Sequence, residues 1–136
     1  MRTVETITLD DARRVIAAGE EKAESLGVPM NIAVVDAGGI LVMHVRQDRA
    51  WIGSVDIAIN KAFSARAFDI STQALGESSA PGGQFYGIQD SNSGRIMIFG
   101  GGVPLMHGDD VVGAVGVSGG TGEQDQTVAA AAAAAL

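Results

Sequence analysis

The chain has 136 residues, of which 16 are acidic and nine are lysine or arginine, giving a formal net charge of −7 and a pI near 4.6. With the basic residues scattered, that balance excludes nucleic acid and an anionic membrane surface as main partners, because both require a basic face. Cysteine is absent, which excludes disulfides, thiolate-bound metals and a cysteine nucleophile.

The length fits a single domain over residues 1–136, large enough to bury about two-thirds of the surface its unfolded chain exposes. Hydrophobic residues make up 46% and charged residues 18%, the composition of a compact apolar domain and not of a disordered one. So few charges on so small a body predict that other copies of the chain cover part of its apolar surface, as a homo-oligomer. The amino terminus lacks the apolar core of a signal peptide, and no stretch approaches the ~20 apolar residues of a membrane span. A cytoplasmic protein without a membrane partner is expected.

In chain order, Thr8 followed by Asp11 predicts a reciprocal cap, and Leu9, Ala12, Ile16, Gly19, Ala23 and Leu26 recur at helical spacing until Gly27 and Pro29 stop them. Asn31–Val35 and Ile40–Val45 read as strands of a β-hairpin joined by Asp36-Ala37-Gly38-Gly39, with Asp36 placed to bond turn amides or to meet a ligand. In the second strand His44, Arg46 and Asp48 share a face by period-two alternation if the strand runs that far. One imidazole, one guanidinium and one carboxylate there would suit an anionic or carboxylated ligand, or an exposed outer face.

Ser54 is expected to cap a helix running to about Asp69, with Lys61 either snorkelling to water or standing at the mouth of a pocket. Residues 72–95 form the longest irregular stretch, with two helical turns at most, and carry Phe85 and Tyr86, which would cover a ligand or anchor the loop.

The most informative stretch is Ile96–Gly120, IMIFGGGVPLMHGDDVVGAVGVSGG. Ile96–Phe99, Val103–Met106 and Val111–Val117 read as three short strands, broken at Gly100-Gly101-Gly102 and again at His107–Asp110. Gly113 and Gly116 leave gaps in the side-chain cover of the last strand, where a packed helix or a ligand would come close. Thr121 and Gln124 form a second capping box, opening a helix that runs through Asp125 into seven alanines, with Glu123 and Asp125 in its first turn beside Ser118-Gly119-Gly120.

VVDAGG at 34–39, VRQD at 45–48, AINKAFSARAF at 58–68, GGGVPL at 100–105, VVGAVGVSGG at 111–120 and EQD at 123–125 together resemble the GlcG/HbpS family, which includes the carboxyl-terminal domain of PduO-type proteins. The resemblance covers nearly the whole chain. It implies an α/β fold with a central antiparallel sheet and helices packed on it, higher oligomers, and binding of haem or another tetrapyrrole, with haem degradation for some members. Asp36, Arg46, Asp48, Lys61, Gly101, Pro104, Gly119, Glu123 and Asp125 fall on its motif positions.

The resemblance implies that Lys61 or Arg46 would pair with the propionates of a tetrapyrrole. Haem iron takes His, Met, Cys or Tyr, which leaves His44, His107, Tyr86 and the methionines as axial candidates; family members carry an aromatic and an acid around Met43 and His44, and that departure singles out His44 for the iron. A different class of function is equally concrete: a cofactor-independent isomerase, lyase or hydrolase acting on a carboxylated small molecule. There His44 is the acid or base, Arg46 or Lys61 holds the carboxylate, and amides of Gly100, Gly101 and Gly102 stabilise an oxyanion.

Overall fold

The computed structural model describes residues 1–136. Helix α1 (Leu9–Leu26) opens on the expected reciprocal cap, in which Thr8 Oγ1 accepts from the Asp11 amide and the Asp11 carboxylate accepts from the Thr8 amide. It closes on Gly27, whose φ of 70° is left-handed backbone that glycine adopts without a Cβ clash. Strands β1 (Asn31–Asp36) and β2 (Leu41–Arg46) form the hairpin, and Asp36 Oδ1 accepts from the Gly38 and Ile40 amides in the turn between them.

Next come α2 (Gly53–Phe68), α3 (Thr72–Ser79), two 3-10 turns at Ile88–Asp90 and Asn92–Gly94, β3 (Gly102–His107), β4 (Asp110–Ser118) and α4 (Gly122–Ala133). The four strands make one antiparallel sheet in the order β2-β1-β4-β3. Pro104 lies in β3, an edge strand, where a residue without an N–H leaves no gap in the ladder.

Period-two alternation sorts the sheet into two faces. Ile32, Val34, Val115 and Val117 point into the main core with Val15 and Ile16 of α1 and Val128, Ala129 and Ala132 of α4. Val35 and Ala114 point the other way, against Ala62 and Ala65 of α2. The fold is therefore α2, sheet, then α1 with α4. Gly116 explains how α2 comes so near: a Cβ there would collide with the Ala58 carbonyl oxygen and the Ala62 amide nitrogen. The gap in side-chain cover is filled by a helix.

Two expectations need correction. Ser54 does not cap α2; it is buried inside the first turn, where its amide donates to the Trp51 carbonyl, and the residue before the helix, Ile52, makes no side-chain cap. Ile96–Phe99 is not a strand. The segment crosses the helical layer instead: the Met97 amide donates to Ser64 Oγ of α2, the Ile98 carbonyl lies against Gly76 of α3, and Ile96 is buried. An apolar β-forming run satisfies its burial equally well against helices, so its composition does not name its partner.

Candidate functional site

Two polar clusters stand out, one sealed and one open. The sealed cluster holds Lys61 and Asp125, both essentially inaccessible, with Nζ to Oδ2 at 2.9 Å. Lys61 Nζ also donates to the Val117 carbonyl at 2.9 Å and lies 4.5 Å from the centroid of the Phe99 ring. Asp125 Oδ1 accepts from the Gly120 amide at 2.9 Å.

The pair thus joins α2, the end of β4 and the first turn of α4. Burial pushes the Lys61 ammonium below the usual lysine range, and the Asp125 carboxylate opposes that shift. Lys61 neither snorkels nor stands at a pocket mouth, which corrects both expectations. A side chain threaded beneath Phe99 with a carboxylate waiting for it stays inside.

The glycine turn is also committed. The Gly101 amide donates to Gln126 Oε1 at 2.9 Å and the Gly102 amide to Thr72 Oγ1 at 2.8 Å. A Cβ at Gly101 would lie 2.8 Å from Lys61 Nζ, so the absence of a side chain serves the buried pair. Gly100 is buried under α4, where a Cβ would come within 2.8 Å of the Gly122 carbonyl. The Gly101 and Gly102 amides are therefore not aimed at an oxyanion, which corrects that expectation for those two residues. Glu123 is exposed in the first turn of α4.

The open cluster lies at the β2 edge. His44 and Arg46 pair in register with Ala33 and Asn31 and so share the α2 face, beyond the strands that α2 chiefly covers. Asn31 is wholly buried; its Nδ2 donates to the Trp51 carbonyl at 3.0 Å, and its Oδ1 lies 3.1 Å from His44 Nε2. Arg46 gives one N–H to the Ala50 carbonyl at 3.3 Å. Burial, and secondly the Arg46 guanidinium, hold the His44 imidazole below the usual histidine range, which favours its neutral form.

Asp48 does not join His44 and Arg46 on one face. β2 ends at Arg46, and a turn closed by the Ala50 amide on the Gln47 carbonyl, with Arg49 at φ 71°, carries Asp48 away. Asp48 lines a surface cavity of about 520 Å³ together with Glu20, Glu24, Arg46 and Gln47. Of the other candidates, Phe85 and Tyr86 are exposed and do not anchor the loop in the core, while His107, expected in a turn, is instead the exposed last residue of β3, with Nδ1 3.1 Å from the Glu5 carboxylate. Sequence reasoning missed Asn31. Its signal was an amide residue at the head of an otherwise apolar strand, NIAVV.

The family model for haem-degrading HbpS-like proteins matches residues 7–134. The chain belongs to the HbpS-like family. Among related sequences, this HbpS-like chain is 44% identical over 126 residues to an uncharacterized 15.0 kDa protein from the dhaT-dhaS intergenic region of Citrobacter freundii, covering 93% of this chain and 89% of that protein. Among solved structures it superposes on PduOC, determined as a haem complex, with a TM-score of 0.91 and 33% identity, covering 96% of this chain and 95% of that one. HbpS of Streptomyces reticuli, solved as a double mutant, gives a TM-score of 0.91 at 30% identity, covering 100% of this chain and 90% of that one.

Proposed function

We propose that this chain binds haem or a closely related tetrapyrrole, as part of a homo-oligomer. The observation that carries the reading is the likeness to PduOC, a structure solved with haem, over nearly the full length of both chains. Arg46 supports it from the site. Its guanidinium has donors left after the bond to Ala50 and would meet a propionate carboxylate, a pairing that charge assistance strengthens. Trp51 and Ile52, in the loop that Asn31 and Arg46 tie down, are 65% and 79% exposed and offer apolar surface for the macrocycle.

The cavity of about 520 Å³ sets Arg46 among three carboxylates, Glu20, Glu24 and Asp48, and so polar and net negative a lining does not suit an apolar ring. The macrocycle is therefore assigned to apolar surface shared with a second copy. The residues present fit the edge of haem better than its iron, because His44 Nε2 is already held by Asn31. Bound haem supplies redox chemistry at its iron, while this chain's residues bind the ring, orient it through its carboxylates and exclude water from it.

A haemin titration of the purified oligomer, followed in the Soret region, tests the reading. Saturable binding at a fixed ratio per subunit is expected. Weak uptake that never saturates sinks the proposal, since apolar surfaces adsorb haemin without specificity.

One observation favours a second reading, an enzyme acting on a carboxylated small molecule. His44 stands next to a guanidinium, with Nδ1 making no bond inside the protein, and burial and that guanidinium favour its neutral form. That is the state of a general base beside a carboxylate anchor. With the Gly101 and Gly102 amides bonded inside the protein, the oxyanion donors that reading called on are not at hand, so haem binding is preferred.

A further inference from the structure

The open cluster contains a buried side chain that decides what His44 can do. Asn31 has two different ends, and its surroundings fix which way they point. The Trp51 carbonyl can only accept, so the Asn31 NH2 group faces it at 3.0 Å. The Asn31 oxygen must then face His44, and an amide oxygen can only accept. The imidazole nitrogen 3.1 Å away, Nε2, is therefore the one that carries the proton. With Asn31 wholly buried, rotating the amide would set its oxygen against the Trp51 carbonyl, two acceptors together out of reach of water.

Neutral imidazole has one N–H and one lone pair. With the proton on Nε2, the lone pair is on Nδ1, which has no partner within the protein, and the positive Arg46 guanidinium two residues along the same face opposes a second proton. Nδ1 is also the poorer nitrogen for haem iron, because it adjoins the ring carbon that bears Cβ and the side chain crowds the porphyrin plane.

We propose that Asn31 is a positioning residue that holds His44 as its Nε2–H tautomer, so that His44 meets its ligand as a hydrogen-bond acceptor through Nδ1 and not as an axial ligand. The ligand chemistry that matches is a proton donor, such as a hydroxyl or a protonated carboxyl or amine, lying close to an anionic group that Arg46 holds. For a bound tetrapyrrole the contact is at the edge of the ring, and the iron takes its axial ligand from another group. The part concerning haem rests on the reading proposed above; the part concerning Asn31 does not.

The test has an arm for each. In the apo protein, long-range proton–nitrogen spectra of uniformly 15N-labelled chain at pH 8, assigned with His44→Gln, report both ring nitrogens. Only the Nε2–H form is expected for His44, with an Nε2 proton protected from exchange with water. In Asn31→Ala that protection is lost and Nδ1–H becomes detectable. A wild-type His44 protonated on Nδ1, or an Nε2 proton as fast in exchange as that of a free imidazole, overturns the proposal. Should Asn31→Ala fail to fold, the wild-type spectrum still decides.

In the second arm, haemin is added to wild type, His44→Ala and Asn31→Ala. An identical Soret maximum is expected for wild type and His44→Ala. Asn31→Ala, which frees Nε2, is expected to gain a shifted, six-coordinate spectrum that disappears in the Asn31→Ala/His44→Ala double variant. A wild-type Soret maximum that moves on His44→Ala overturns the assignment. If no variant binds haemin saturably, the tetrapyrrole reading falls, and the nitrogen spectra still judge Asn31.

Discussion

Lys61 and Asp125 show how a charged residue becomes part of a core. Removing either partner leaves the other ionised in a place that water does not reach, which costs about 3–5 kcal/mol. Lys61→Met is therefore expected to lower the urea stability by roughly that amount. Lys61→Met with Asp125→Leu should recover much of it, because the second substitution removes the stranded carboxylate. A loss below about 1 kcal/mol for the single variant would mean that Asp125 finds water or a proton, as a surface pair does. The same comparison separates structure from binding. If Lys61 held a ligand carboxylate, the double variant would lose the ligand while regaining stability; here haemin affinity is expected to be unchanged, since Nζ is buried and bonded to Asp125 and Val117.

At the scale of elements, the contact between α2 and the sheet depends on what β4 leaves out. Gly116 lets the Ala58 carbonyl and Ala62 amide lie directly on the strand, and Ala58, Ala62 and Ala65 keep the helix side of the contact flat. Gly116→Ala is expected to cost about 3 kcal/mol or more, the upper end for an overpacked core, because backbone must move to admit the methyl. Gly53→Ala, at the start of α2 with open space around it, is expected to be neutral or to stabilise by up to about 1 kcal/mol. Thermal unfolding of the two variants checks the pair. Equal effects would show that glycine entropy and not close approach is what matters at 116. Ile96–Phe99 makes the complementary point, for its strand-forming residues lie against α2 and α3, with Ile96 buried and Phe99 left exposed, while the sheet ends at β3.

The whole molecule leaves a good deal of apolar surface uncovered. Ile40, Trp51, Ile52 and Tyr86 are all at least 65% exposed, more large apolar surface than a small monomer usually leaves in water. We expect the chain to run in size-exclusion chromatography with light scattering at a mass above that of a dimer. Trp51→Glu with Ile52→Glu should reduce that mass without changing the far-ultraviolet circular dichroism, since neither side chain belongs to the core. A wild-type chain that is monomeric at micromolar concentration would remove both the oligomer and the shared surface assigned to the macrocycle. No helix is long and apolar enough to cross a membrane.

The local elements were legible because their causes are local. Thr8 with Asp11 and Thr121 with Gln124 mark helix starts by bonds spanning three residues, Gly27 marks a stop, and the Asp36 turn is closed by the Asp36 side chain itself. The ordered motifs pointed to the family for a similar reason, since each is a short run whose residues keep their spacing in any fold that uses them. What tertiary structure alone decided was who meets whom. Lys61 could have faced water until Asp125, 64 residues away, closed over it. Asp48 left the face of His44 because a turn intervened, and Asn31 gained its role from Trp51 and His44, 20 and 13 residues distant. Alternation along one strand assigns a face but not its partner, and the state of a titratable side chain depends on that partner.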